Sequence, residues 1–88
     1  MYRIEDTDYG FKLTFADVVD RAEAQRWLEE IVPRIDSRRS PFSIFVDMRT
    51  LSPLSEEARG PIITGQRHAR KKGLIRSVVI LKDNLTTL

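Results

Sequence analysis

Asp47 carries the first carboxylate in the sequence whose position could support chemistry, because it directly follows the apolar, strand-length segment 42–46. Open α/β sheets bind ligands at the carboxyl ends of their strands, so an acid there could hold Mg²⁺ or act as a base. Metal sites generally need several oxygen ligands, and Glu56 and Glu57 could join Asp47 only through the fold. The simpler prediction is that Asp47 accepts hydrogen bonds from the backbone of the loop that follows it.

Ser55 has the position and chemistry of a helix N-cap, since its hydroxyl can accept a hydrogen bond from a backbone amide of the first turn. Glu56 and Glu57 follow it directly, where the positive end of a helix dipole stabilises carboxylates. The sequence therefore predicts a helix that begins at Ser55 with two acids exposed at its start.

The second concentration of charge is basic. Residues 1–58 carry a net charge of −4 and residues 59–88 a net charge of +6, which together give the chain its +2. The basic residues of the second segment could bind phosphates on a polyanion or a lipid headgroup. Alternatively, they could form a solvated helix end, where the helix dipole favours cations. All seven aromatic residues lie at or before Phe45, so base stacking and nucleic-acid binding are poorly supported. The candidate anion-binding residues are Arg67, Arg70, Lys71, Lys72 and Arg76.

Composition argues against several classes of enzyme. The chain has no cysteine and one histidine, which excludes thiolate-ligated metals and thiol catalysis. His68 lies between cations and has no recognisable serine and acid partners, so we expect a surface position for it. No phosphate-binding glycine motif occurs. We expect no catalytic residue, no metal site and no cofactor, and therefore a non-enzymatic protein.

The elements that position these residues follow from hydrophobic periodicity. Apolar and polar residues alternate on both sides of Gly10, which predicts an antiparallel hairpin. A helix capped by Asp17 or Asp20 should then run to about Ile35. The buried-type strand 42–47, a second helix to about Gly73 and the strand 74–81 follow. We expect Gly60-Pro61 to interrupt the second helix and a third helix to begin at Asn84, with Leu85 and Leu88 on one face.

The order β-β-α-β-α-β predicts an α/β fold, a four-stranded mixed sheet with the helices packed against it. We expect residues 1–88 to form a single domain, which could lack a C-terminal helix. Strand 42–47 should be buried on both faces, and Trp27 could lie at the core edge or at an interface. The predicted core comprises Phe11, Leu13, Leu28, Ile31, Ile44, Val46, Ile62, Ala69, Val78 and Ile80.

Length and composition set the remaining expectations. The chain has 88 residues, 41% of them hydrophobic and 32% charged, which is typical of a folded domain. It shows no apolar signal segment and no run of apolar residues long enough to span a membrane, so we expect a cytoplasmic protein. A domain this small leaves much apolar surface exposed, and burial of that surface in a homodimer is one solution.

The order of the predicted elements resembles that of the STAS domain, the SpoIIAA-like fold of anti-sigma-factor antagonists and of the cytoplasmic ends of sulphate transporters. The elements that carry the resemblance are two opening strands, an amphipathic helix, the run Phe42-Ser43-Ile44-Phe45-Val46-Asp47-Met48 and a helix that starts near Ser55. In phosphorylatable members that helix opens with an Asp-Ser-Ser-Gly-type motif, whose serine is phosphorylated by a partner kinase. The corresponding stretch of this chain is Leu54-Ser55-Glu56-Glu57-Ala58. It lacks the glycine of the motif, and Ser55 is its only residue with a hydroxyl group.

This resemblance implies that the chain is a divergent, SpoIIAA-like bacterial regulator that binds a protein partner. In the family that partner is an anti-sigma-factor-like kinase. The contact would use Asp47, Ser55, Glu56 and Glu57, with Ser55 as an unphosphorylated cap and the two glutamates as a fixed acidic surface. The alternative from a different class is the polyanion or lipid-headgroup binder described above.

Overall fold

A five-stranded mixed sheet forms the centre of the computed structural model, which describes residues 1–82 and the backbone of residues 85–87. The strands lie in chain order; β2, β3 and β4 are parallel, and the outer pairs β1–β2 and β4–β5 are antiparallel. The four predicted strands and both predicted helices are confirmed. The elements are β1 (Tyr2–Asp6), β2 (Gly10–Phe15), α1 (Arg21–Ser37), β3 (Phe42–Asp47), α2 (Glu56–Lys71), β4 (Leu74–Ile80) and β5 (Leu85–Thr87).

The helix predicted at the end of the chain is wrong for residues 85–87, which pair with β4 as the short strand β5. Leu85 lies opposite Ile80, and Thr87 lies opposite Val78. The free edge of β4 offers unpaired backbone groups, and two threonines favour an extended backbone over a helix. Asn84 and Leu88, the other residues of the predicted helix, lie outside the described residues.

Both helices pack on one face of the sheet. In β3 the residues Phe42, Ile44 and Val46 are buried, whereas the alternate residues Phe45 and Asp47 are only partly buried. The prediction that this strand is buried on both faces is therefore wrong. Right-handed crossovers from β2 to β3 and from β3 to β4 step in the same direction across the sheet, which puts both helices on the same side.

The predicted core residues are mostly correct outside β4, but the wrong residues of β4 were predicted to be buried. The buried residue of that strand is Val79, which lies opposite Val46, whereas the predicted Val78 and Ile80 are only partly buried on the other face. Leu28 is also only partly buried and packs against the core from α1. The other predicted core residues are buried: Phe11, Leu13, Ile31, Ile44, Val46, Ile62 and Ala69.

The helix α2 runs without interruption through Gly60-Pro61, where the sequence predicted a break. Pro61 is buried, and the helix continues through it although proline has no backbone N–H to donate. The other predicted boundaries are confirmed: Asp20 caps α1, Ser55 caps α2, and α2 ends shortly before Gly73.

The close approach of the two helices depends on Gly65. A Cβ atom at this position would overlap the six-membered ring of Trp27, which is itself 3% exposed and packs edge-on against Phe15 with ring centroids 5.4 Å apart. Trp27 is therefore a core residue rather than a surface anchor, and Gly65 gives its indole the space it occupies.

Replacing Gly65 and Gly60 by alanine should affect stability to different extents. Both glycines lie in α2, but a Cβ at Gly60 would meet no atom within 4 Å apart from the helix backbone and its chain neighbours. Gly60→Ala should change the free energy of unfolding by less than about 1 kcal/mol, because the gain in helix propensity is opposed by the contact of the new Cβ with the ring of Pro61. Gly65→Ala should lower it by about 1–3 kcal/mol through overpacking against Trp27. Urea unfolding of the two variants measures both changes, and an equal increase in both would contradict the described packing.

Candidate functional site

The carboxylate of Asp47 is fully engaged by Arg49. Its Oδ1 accepts hydrogen bonds from the backbone N and the Nε of Arg49, both at 3.1 Å, and its Oδ2 accepts from Nη2 at 2.8 Å. The side-chain and backbone hydrogen bonds from Arg49 lower the pKa of Asp47 to about 2, and the same contact raises the pKa of Arg49. The prediction that Asp47 accepts from the following loop is confirmed, and a carboxylate held in this way is a poor general base.

The loop between β3 and α2 is fixed to the loop between β2 and α1 by the backbone of Asp17. The amide of Asp17 donates to the carbonyl of Thr50 at 3.0 Å, and its carbonyl accepts from the amide of Ser52 at 2.7 Å. Asp17 has a φ of 57°, the left-handed conformation that aspartate tolerates better than most residues. The sequence predicts for Asp17 only an alternative role as a helix cap, because an acid before two valines carries no signal for this bridge.

The two helices begin at the same edge of the sheet, each with a polar cap. The Oγ of Ser55 accepts from the amide of Ala58 at 3.2 Å, and the Oδ1 of Asp20 accepts from the amide of Glu23 at 2.8 Å. Glu56 and Glu57 are exposed. Together with the exposed Asp17 and Asp20 they form what we call the acidic edge: Asp17, Asp20, Glu56 and Glu57.

Glu56 and Glu57 have no ion-pair partner among the residues that the structure describes. The structure thus brings Ser55, Glu56 and Glu57 to the same edge of the sheet as Asp47. The four predicted residues differ in whether their side chains are already hydrogen-bonded within the protein. Asp47 and Ser55 are occupied by intramolecular hydrogen bonds, whereas the glutamates point their charge to solvent.

The basic residues lie at the opposite edge, where α2 ends. Arg67, Arg70 and Lys71 are exposed on the last turns of the helix. Lys72 Nζ lies 3.9 Å from Asp36 Oδ1, the same atom that His68 Nε2 contacts at 2.7 Å. These contacts join the carboxyl ends of α1 and α2, so part of the basic charge serves the packing of the helices.

Arg76 does not join that cluster. It lies in β4 opposite Ser43, on the face of the sheet that carries no helix, and is exposed. The five predicted anion-binding residues are therefore divided between a helix end and the open face of the sheet.

A cavity of about 270 Å³ lies between the helices and the sheet. Trp27 lines it, and the Nε1 of this indole is buried without a hydrogen-bond partner among the described residues. Gln66 and Ser77 are the polar side chains in a lining that is otherwise apolar. Sequence periodicity gave no sign of this cavity, because its volume depends on how α2 sits relative to β4. Its apolar lining includes Leu13, Phe15, Ile31, Ile62, Leu74 and Val79.

The described residues provide neither a metal-binding cluster nor a membrane-spanning helix. No group of three or more His, Asp or Glu side chains there is placed to bind a metal ion. No helix of this part of the chain combines the length and the apolar character that crossing a bilayer requires.

Comparison with known proteins identifies a similar fold without a family. No protein-family model matches the chain, and no curated protein shows significant sequence similarity to it. A solved structure described as "Crystal Structure Analysis of Mglu" is similar over 93% of this chain, with a TM-score of 0.69 and 17% sequence identity. The chain spans 19% of that Mglu chain. At this identity the similarity shows the α/β fold alone, and it shows that the same arrangement occurs within a much longer polypeptide.

Removing the Arg49 side chain should raise the pKa of Asp47. The pKa is about 2 in the folded protein and 3.8 for an unperturbed aspartate. Because folding lowers it, the stabilisation it gives is present above about pH 4 and is lost as the pH falls toward 2. Titration by carboxyl-carbon NMR should show the Asp47 pKa moving toward 3.8 in Arg49→Ala. An unchanged pKa would show that the Arg49 guanidinium does not hold this carboxylate.

Replacing the Ser55 hydroxyl should remove the cap of α2. Ser55→Ala should lower the free energy of unfolding by about 1 kcal/mol, since an amide of the first turn loses its acceptor. Ser52→Ala is the matched control: it is an exposed serine of the same loop, whose contact with Asp17 uses the backbone amide and survives the substitution. Denaturant unfolding that gives equal changes for both serines would contradict the cap.

Proposed function

We propose that this chain is a non-enzymatic, STAS-like regulatory domain of the cytoplasm that binds a protein partner through the acidic edge. The observation that carries the proposal is the fixed geometry of this edge. The backbone bridge at Asp17 and the cap at Ser55 hold the loop and the start of α2 in place, and Glu56 and Glu57 remain exposed there.

The occupied state of Asp47 supports a binding role over a catalytic one. Its carboxylate accepts three hydrogen bonds from Arg49, and its low pKa keeps it ionised and weakly basic at neutral pH. A general base works best with a pKa near the operating pH. Asp47 is therefore better suited to ordering the loop than to proton transfer.

Exposed acidic side chains on a fixed backbone favour a partner with a complementary basic surface. Charges at the rim of an interface raise the association rate and select among partners. Because the backbone of the acidic edge is already held by hydrogen bonds, little backbone entropy is lost when a partner binds. We therefore propose a basic protein surface as the occupant of this edge.

In phosphorylatable STAS domains, which this chain resembles, a regulatory serine lies at the start of the corresponding helix. In this chain Ser55 Oγ is used by the Ala58 amide, and a phosphate there would meet the repulsion of Glu56 and Glu57. We propose that the two glutamates supply permanently the negative charge that phosphorylation supplies in other members. Ser55 then remains unmodified.

The alternative, an anion binder at the end of α2, has less support. Lys72 contacts Asp36, and Arg76 lies on the open face of the sheet away from the helix end. Two of the three exposed cations, Arg70 and Lys71, lie in the last turn of α2, where the helix dipole favours cations in any case.

Neutralising the two glutamates of the acidic edge should abolish partner capture. We compare Glu56→Gln/Glu57→Gln with Glu29→Gln/Glu30→Gln, two exposed acids on α1 whose hydrogen bonds from Gln25 and Tyr2 a glutamine side-chain oxygen can still accept. Affinity purification from the source cells, after chemical cross-linking, should recover a protein with wild type and with the α1 control but lose it with the α2 variant. Circular dichroism checks that both variants fold.

Recovery of the same protein by the α2 variant would contradict the proposal. Intact-mass spectrometry of the wild-type chain from those cells tests the role of Ser55 separately. The mass should be that of the unmodified chain. A phosphoryl group mapped to Ser55 would restore a switch that depends on modification.

A further inference from the structure

The outer edge of β1 is unpaired among the residues that the structure describes, because β1 is the first strand of the sheet and pairs with β2 alone. The unpaired N–H and C=O groups of an edge strand are a template for pairing with another chain. Many proteins prevent such pairing with a proline, a bulge or like charges on the edge. β1 contains no proline, and its register with β2 shows no bulge, so its charged side chains decide what can pair there.

The ladder with β2 fixes which residues of β1 direct their backbone groups to this edge. Hydrogen-bonded pairs alternate with non-hydrogen-bonded pairs along an antiparallel ladder. The amide of Ala16 donates to the carbonyl of Met1 at 2.8 Å, and the amide of Thr7 donates to the carbonyl of Gly10 at 3.0 Å. The odd-numbered residues of β1 therefore bond to β2. The residues whose N–H and C=O groups point to the free edge are Tyr2, Ile4 and Asp6.

Arg3 and Glu5 place opposite charges two positions apart on the open face of the sheet. The Oη of Tyr2 donates to Glu30 Oε1 of α1 at 2.8 Å, so the even-numbered side chains of β1 face the helices and the odd-numbered ones face away from them. Arg3 is exposed and Glu5 is partly exposed. Neither has an ion-pair partner among the described residues. Both charges are therefore available to a strand that pairs with β1.

We propose that β1 pairs with β1 of a second copy of this chain, antiparallel and about a two-fold axis at Ile4, which joins the two sheets into one. In this register Arg3 of each copy lies opposite Glu5 of the other. These are non-hydrogen-bonded pairs, in which opposing side chains lie closest. All N–H and C=O groups that point to the free edge find partners in the second copy. The contact is isologous, so it closes at a dimer.

The charges select this register over its neighbours. Only residues with outward-facing backbone groups can form the hydrogen-bonded pairs, so the register can shift only in steps of two residues. A shift in one direction places the two copies of Arg3 opposite each other, and a shift in the other direction does the same to Glu5. Like charges directly opposite each other are destabilising. The pattern of β1 is thus complementary to itself in one register.

The helix-facing side of the junction is apolar at its centre. Ile4 is partly buried and packs against the core, and on the two-fold axis its side chain lies beside that of the second copy. Burial of the two isoleucines adds a hydrophobic contribution to the backbone hydrogen bonds. β1 lies outside the acidic edge, so the inference does not rest on the proposed partner surface.

Reversing one charge at a time tests the junction. Arg3→Glu leaves β1 with acids at positions 3 and 5, and Glu5→Arg leaves it with bases there, so each variant repels its own copy. Sedimentation equilibrium should show the wild type dimerising at on the order of 100 µM, as expected for a small interface, and each variant about tenfold more weakly. An equimolar mixture of the two variants should dimerise at least as tightly as wild type, because every acid then lies opposite an arginine.

Arg76→Glu is the matched control, and circular dichroism checks that all variants fold. Arg76 is an exposed arginine on the same open face, but it lies in β4 rather than at the β1 edge, so its reversal should leave dimerisation unchanged. Hydrogen exchange locates the contact. The amide of Ile4 should become protected as the protein concentration rises, whereas the amide of Glu5 is already bonded to β2 and should be protected at every concentration.

Three results would overturn the proposal. The first is a wild-type monomer at all concentrations up to about 1 mM. The second is dimerisation that Arg3→Glu and Glu5→Arg leave unchanged, or a mixture of the two that remains monomeric. The third is an equal loss of dimerisation in Arg76→Glu, which would place the contact on the open face of the sheet.

Discussion

The packing of Trp27 against Gly65 is the contact on which the rest of the structure depends. Two right-handed crossovers place both helices on the same face of a narrow sheet, so the helices must approach each other closely to share it. Gly65 permits that approach, since any side chain there would overlap the indole ring. The indole nitrogen of Trp27 is buried without a partner among the described residues, and a cavity lined by residues of α2 and β4 lies beside Trp27 and Gly65.

The fold separates its charges along the strand direction. Parallel strands direct both helix N-termini, and with them Glu56 and Glu57, to one edge of the sheet, and both helix C-termini to the other. Opposite charges thus lie where the helix dipoles stabilise them. Met48 connects the loop after Asp47 to the core: it lines the cavity, and its amide donates to the carbonyl of Ile80 in β4 at 2.9 Å.

The sequence predicted the features that depend on local chemistry, including the caps at Asp20 and Ser55 and the backbone hydrogen bond to Asp47. It misassigned the faces of β4, because residues 78–81 are all apolar and show no alternation; only the register with Val46 selects Val79. The bridge at Asp17 and the cavity were equally hidden, since both arise from contacts between distant segments. Two members of the acidic edge, Glu56 and Glu57, were predicted as exposed acids at the start of a helix. The position of Asp17 beside them depends on the fold and was not predicted.

Nuclear Overhauser effects from the Trp27 ring test the central contact most directly. A single indole in the chain makes the assignment unambiguous. The account predicts strong effects between the Hη2 and Hζ3 protons of Trp27 and the two α protons of Gly65, with further effects to the ring of Phe15. Absence of the Gly65 effects, with the indole instead near residues of the open sheet face such as Phe45 and Val78, would show that the helices do not share one face of the sheet.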